Sequence, residues 1–295
     1  TRMEKRKYNL TGFILIMILP LSWWACDEPT PPSGCTDITA SNYENWAIID
    51  DSSCVYPEAG ALIFQDEFNG TTLDNSKWVH DIGTGEWGWG NGELQYYRAE
   101  NTIVSNGTAK IIAEIGTNGL DYTSSKIKTD GKFSFRYGKA QARIKTVEGQ
   151  GFWPAFWMLP SGGNWPCDGE IDIMEQWGGN GDTEQTTGAA HLGLCPYSSS
   201  SHVYQSFHKN ISSGSYADDF HIYEVRWMPN LIAWYVDNIK VFEVTPNMYP
   251  SSYEWPFNSN QWYLILNLAI TNSGPNENTV FPSQIEIDWV RVYNL

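Results

Sequence analysis

Between Ala61 and Leu295 no apolar stripe holds helical spacing over a useful length, and this constrains the fold more than any other feature. Short runs take its place, such as Ala109-Lys110-Ile111-Ile112-Ala113, Lys139-Ala140-Gln141-Ala142-Arg143-Ile144-Lys145, Ile232-Ala233-Trp234-Tyr235-Val236 and Ile285-Glu286-Ile287-Asp288-Trp289-Val290. Each is bounded by Gly, Asn, Asp or Pro, the punctuation of strands and turns. No unit of about 20–50 residues repeats, which excludes solenoids and propellers. About 235 residues of this pattern predict one all-β domain over 61–295, a sandwich of two sheets.

The chain ahead of Ala61 reads differently. Met3 to Asn9 is basic, Leu10 to Leu21 is apolar, and Ser22-Trp23-Trp24-Ala25-Cys26 follows. That layout predicts a signal peptide over 3–26. Its apolar stretch of about a dozen residues falls short of the ~20 that span a bilayer. Ala25-Cys26 resembles the end of a bacterial lipoprotein signal, although Trp23 departs from the aliphatic residue preferred there. The expectation is a protein either secreted or held at the outer membrane or cell surface by lipid on Cys26. Residues 27–60 then form a Pro-rich tether and a Cys-bounded motif, in which export makes a Cys35–Cys54 disulfide plausible. Of five cysteines, Cys167 and Cys195 are left to pair with each other, a connectivity that spacing does not determine.

Charge narrows the partners. Asp and Glu number 34 against 18 Lys and Arg, a formal net charge of -16. A duplex binder needs basic groups to displace phosphate counterions, so nucleic acid is excluded, as is an anionic lipid surface. Only a lipid anchor leaves a route to the membrane, and a monomer is expected. The chain also holds 15 Trp, 16 Tyr and 12 Phe. Aromatics suit strands, and they also make stacking surfaces for the flat apolar faces of sugar rings. The GxGxxG, P-loop, HExxH and GxSxG patterns are absent, which argues against nucleotide, zinc-protease and serine-esterase chemistry.

The most informative stretch is Gly169-Glu170-Ile171-Asp172-Ile173-Met174-Glu175-Gln176-Trp177. On a strand Glu170 and Asp172 share one face while Ile171 and Ile173 share the other. Glu175 falls on the wrong face unless a β-bulge near Ile173-Met174 restores the parity. With the bulge, the Cα atoms of Glu170 and Glu175 lie roughly 13 Å apart at about 3.3 Å per residue. Side chains leaning together bring the carboxylates to about 5 Å, the separation of nucleophile and acid/base in a retaining glycosidase. Three like charges on one face oppose simultaneous ionisation, and a retained proton is what a general acid requires. A solvent-facing acidic row is the alternative, but Trp153 and Trp157 stand just upstream and Trp177 just after. A metal site is disfavoured by sparse His and by the lack of ligand spacing.

Gly169 to Glu175 is similar to the E-I-D-I-x-E signature of glycoside hydrolase family 16 in its bulged, laminarinase-like form. The resemblance covers nearly all of 61–295 and includes Gln65-Asp66-Glu67-Phe68, Trp89-Gly90-Asn91-Gly92-Glu93-Leu94-Gln95-Tyr96-Tyr97, Gly149 to Pro160, Phe220 to Trp227 and Asp288 to Tyr293. It implies a two-sheet β-jelly roll with a concave cleft and retaining cleavage of internal β-glycosidic bonds. By position, Glu170 matches the nucleophile, Glu175 the general acid and later base, and Asp172 the residue that tunes them. His191 matches a histidine on the neighbouring strand. Asn91 and Glu93 match a sugar-binding loop, although Asn-Gly is equally a turn signal. Trp153, Trp157 and Trp165 are expected as sugar platforms, whereas Trp227, Trp234 and Trp289 are expected in the core or on the convex face. No cofactor is expected for catalysis. A structural calcium is implied, with Glu67, the Gly107 carbonyl and Asp288 as ligands, since hard oxygens suit that ion.

This sequence departs from the family in three places. Thr271-Asn272-Ser273-Gly274-Pro275-Asn276 replaces the usual Gly-Gly-Asn-Trp, Gln141 stands where Glu is common, and a Ser-rich insertion starts at Cys195-Pro196-Tyr197. These bear on the substrate: laminarin-type β-1,3-glucan is expected first, then mixed-linkage β-glucan, then algal galactans. The same fold also serves as a glucan-binding protein that has lost its acids, but Glu170 and Glu175 are both retained here.

Overall fold

A computed structural model describes residues 31–36, 46–53, 60–177 and 183–295. The expected signal peptide, Cys26 and Cys54 lie outside the described residues, as does much of 27–60. Cys35 is buried and disulfide-bonded.

Two large sheets face each other, as the strand pattern predicts. The first has seven antiparallel strands in the order His202–Asn210, Gln185–Gly193, Glu170–Glu175, Phe152–Pro160, Trp262–Ile270, Lys126–Lys128, Val79–Asp81. Its first four strands form a meander. Trp262–Ile270 arrives from near the chain's end and pairs with Phe152–Pro160 along its whole length, which sets Asn267 opposite Ala155. The second sheet is built on Ile239–Val244, Leu231–Val236, His221–Met228, Gly138–Lys145, Ser283–Tyr293 and Thr108–Ile115 in that order.

Period-two alternation explains the packing between them. In Phe152–Pro160, Phe152, Phe156 and Met158 are fully buried against the second sheet, while Trp153 and Trp157 point the other way and stay half-buried. The core also takes Trp78, Trp227, Trp234 and Trp262 in full. Burying a large apolar side chain contributes about 1.5–3 kcal/mol, so these rings hold the sandwich closed. Trp227 and Trp234 thus lie in the core as expected, whereas Trp289 is half-buried with the Arg291 guanidinium 4.2 Å from its ring centroid. Asn106 and Gly107 both adopt positive φ, 56° and 76°, in the tight hairpin between Thr102–Ser105 and Thr108–Ile115. Cys167 and Cys195 are bonded, with Cα atoms 5.6 Å apart, and tie the loop before Glu170–Glu175 to the loop after Gln185–Gly193 at the same end of that antiparallel pair.

Candidate active site

The parity problem of the acidic strand is resolved by a bulge. On one side Met174 pairs with Phe156 and Asp172 with Trp157, which leaves Ile173 as the extra residue. On the other side Glu175 pairs with Thr187 and Asp172 with Ala189, again with one residue too many. Ile171, Ile173 and Met174 all enter the core, and this anchors the bulge. Glu170, Asp172 and Glu175 consequently line one cleft on the outer face of the seven-stranded sheet.

The three carboxyl groups sit deep in this cleft, although the side chains of Glu170 and Glu175 keep part of their surface open to it. Burial, followed by the charge of Asp172, raises Glu170 to about 8. Burial also pushes Asp172 up. Glu175 is raised well above the carboxylate range, first by burial and then by its acidic neighbours. Each acid has a partner that favours its ionised form. Trp165 works against the rise at Glu170, and Trp153 Nε1 donates to Glu175 Oε1 at 2.9 Å. His191 Nε2 lies 3.0 Å from Asp172 Oδ2. Behind the row, Trp234 Nε1 donates to the Asp172 carbonyl at 2.8 Å and fixes the strand from the core side. A site of this kind retains protons at neutral pH yet can release them singly, as general acid catalysis requires.

On one flank lies a network built from distant segments. Glu93 accepts from Gln95 Nε2 at 2.7 Å, from Tyr97 Oη at 3.1 Å and from Asn91 Nδ2 at 3.3 Å. Burial raises its carboxyl. Asn267 Nδ2 donates to Tyr97 Oη at 3.2 Å, and Asn267 Oδ1 accepts from Trp157 Nε1 at 2.7 Å. The orientation of the Trp157 ring is therefore set through Asn267 and Tyr97 from Glu93. The Lys126 ammonium sits 4.5 Å from the Trp89 ring and 4.9 Å from the Trp157 ring, and pairs with Asp81 at 3.5 Å.

Trp153 stacks on Trp177 with centroids 4.0 Å apart. Trp165 lies on the other flank, against Tyr197 and His202 at 5.0 and 4.9 Å. The structure thus brings the acids together with Asn91, Glu93, Trp153, Trp157, Trp165 and His191. Sequence reasoning missed Tyr97, Lys126, Asn267 and His202 as parts of the site. Tyr97 lay within a quoted motif, but nothing local marked the other three.

The implied calcium ligands do not fit an ion. Arg291 donates to both Glu67 oxygens, at 2.7 and 2.8 Å. Arg143 Nη1 donates to Asp288 Oδ2 at 2.6 Å. Gly107 serves the hairpin turn described above. A cation there would have to displace two arginines of its own sign. Among the described residues, Glu170, Asp172 and His191 place ligand atoms within 4.8 Å of one another, a closeness that the His191–Asp172 contact and the pairing of Glu170 with His191 across the ladder explain. Of the departures noted in the sequence, Gln141 lies in the second sheet and donates to the buried Glu224.

The family description "Glycosyl hydrolases family 16" matches residues 85–291. A glucan endo-1,3-beta-glucosidase A1 of Niallia circulans is 37% identical over 79% of this chain, which spans 37% of that relative's length. A beta-glucanase of Rhodothermus marinus is 36% identical over 79% of this chain and 84% of its own. The solved laminarinase catalytic domain of Thermotoga maritima MSB8 superposes with a TM-score of 0.72 at 36% identity, covering 81% of this chain and 99% of that domain.

Proposed function

The chain belongs to glycosyl hydrolases family 16, and from that premise we propose that it is a retaining endo-β-1,3-glucanase acting on laminarin-type glucans. The observation that carries this reading is the bulged strand, which turns Glu170, Asp172 and Glu175 into one cleft. In the proposed double displacement the Glu170 carboxylate attacks the anomeric carbon while Glu175 protonates the departing glycosidic oxygen. Glu175 then takes a proton from the water that hydrolyses the glycosyl ester on Glu170. Asp172, held by His191, orients Glu170 and keeps the charge of the row adjustable. Trp153, Trp157 and Trp165 offer ring faces to the sugars, and Asn91 and Glu93 offer polar groups.

The preference for β-1,3 linkages is supported by the relatives above. Mixed-linkage β-glucan is the second substrate and algal galactans are the third. The proposal extends to a monomer that is exported through the segment 3–26 and anchored by lipid on Cys26. Product analysis on laminarin, lichenan, agarose and carrageenan, with Glu170→Gln as the inactive control, tests it. Laminarin oligosaccharides first released as the β-anomer are the expected result. Cleavage of agarose or carrageenan alone, or equal activity of the Gln variant, would overturn it.

A further inference from the structure

Two histidines stand in line with the acids. His191 Nε2 is 3.0 Å from Asp172 Oδ2, and His191 Nδ1 is 2.9 Å from His202 Nε2. His191 pairs across the ladder with Tyr204 and Gly193 with His202, so the two imidazoles are diagonal neighbours on one face of the sheet. Their rings are nearly parallel, 13° between planes and 5.0 Å between centroids. Trp165, Tyr197 and Tyr204 surround His202 with centroids at 4.9, 6.4 and 5.9 Å.

A neutral imidazole has one N–H and one lone pair, and an ionised carboxylate only accepts. Ionised Asp172 therefore requires the His191 proton on Nε2. His191 Nδ1 is then a bare acceptor and needs a donor, which His202 supplies when its own proton is on Nε2. Burial pushes the His202 imidazole down, which favours the neutral ring that can carry its single proton on Nε2. With the His191 proton on Nδ1 instead, its Nε2 lone pair would face an Asp172 oxygen, an arrangement tolerable only with Asp172 protonated.

The geometry points to His202 as a positioning residue: it holds His191 in the Nε2–H tautomer, and His191 in turn anchors Asp172 beside Glu170. This rests on the reading of Glu170, Asp172 and Glu175 as the catalytic acids.

The test uses the whole protein and two substitutions. His202→Phe keeps a ring against His191 and removes the donor; His202→Gln restores an amide N–H at about the same reach. Turnover on laminarin is expected to fall about 2- to 12-fold in His202→Phe, the range of one neutral hydrogen bond, with KM little changed, and to recover in His202→Gln. The ¹⁵N shifts of His191 in the wild type should show Nε2 protonated and Nδ1 bare, with a tautomer mixture in His202→Phe. Unchanged turnover in His202→Phe would overturn the inference, as would a folded Gln variant as slow as the Phe variant, or a wild-type His191 protonated on Nδ1. If His202→Phe does not fold, the wild-type tautomer and the turnover of His202→Gln decide. A wild type that turns over no β-glucan yet shows the Nε2–H tautomer would refute the glucanase reading and uphold the tautomer lock.

Discussion

Replacing Trp153 with phenylalanine removes one N–H donor from the Glu175 carboxyl and keeps an aromatic ring on the same face of the strand. In the native site that donor lies 2.9 Å from Oε1, and the indole stacks on Trp177 at 4.0 Å. A hydrogen bond to a charged group is worth about 1.5–3 kcal/mol. The bond is made to the ionised carboxylate and lowers the Glu175 pKa against the larger effect of burial. Its loss therefore raises that pKa. At 1.36 kcal/mol per unit the rise is about 1–2 units. If Glu175 is the general acid, it must be protonated when the substrate arrives, and its titration sets the alkaline limb of kcat/KM. The Trp153→Phe variant should then show this limb displaced upward by about 1–2 units. The assay is the pH profile of kcat/KM on soluble laminarin. Weaker stacking lowers the height of the profile without moving its midpoint, so the two effects separate. An alkaline limb that stays in place or moves down would refute the assignment of Glu175 as the acid under Trp153's control.

Glu170→Gln should stabilise the fold in a pH-dependent way. The native pKa of Glu170 is raised from 4.5 to about 8, so its favourable contribution is complete below pH 4.5 and is lost as pH rises through 8. The Gln variant, neutral throughout, should gain unfolding free energy over the wild type progressively across that window, by on the order of a few kcal/mol at its upper end; a constant difference across pH would contradict the shift. Cys167→Ser with Cys195→Ser opens a loop with a sequence separation of 28 and should cost about 3.5 kcal/mol in chemical denaturation. It should also raise KM by freeing Trp165, and an unchanged KM would show that the loop holds its shape without the bond.

Much of this protein is written in local pattern. The alternation in Phe152–Pro160 decides which residues enter the core, because successive side chains on a strand point to opposite faces. The odd spacing of Glu170 and Glu175 required a bulge, and the ladders place it at Ile173, within the Ile173-Met174 step that parity indicated. The cleft flanks were not legible in this way. Tyr97 and Asn267 are 170 residues apart and meet only because Trp262–Ile270 inserts beside Phe152–Pro160. Lys126 is held among Asp81 and two indoles that come from distant parts of the chain. Glu67 and Asp288 read as free oxygen ligands until Arg291 and Arg143 are found on them. The pairing of Cys167 with Cys195 and the contact of His191 with His202 likewise depend on strand order and register. Chain geometry acts over a few residues and settles the face to which a side chain points. Which faces meet is settled by how the whole set of strands buries its apolar surface, and that depends on all of them at once.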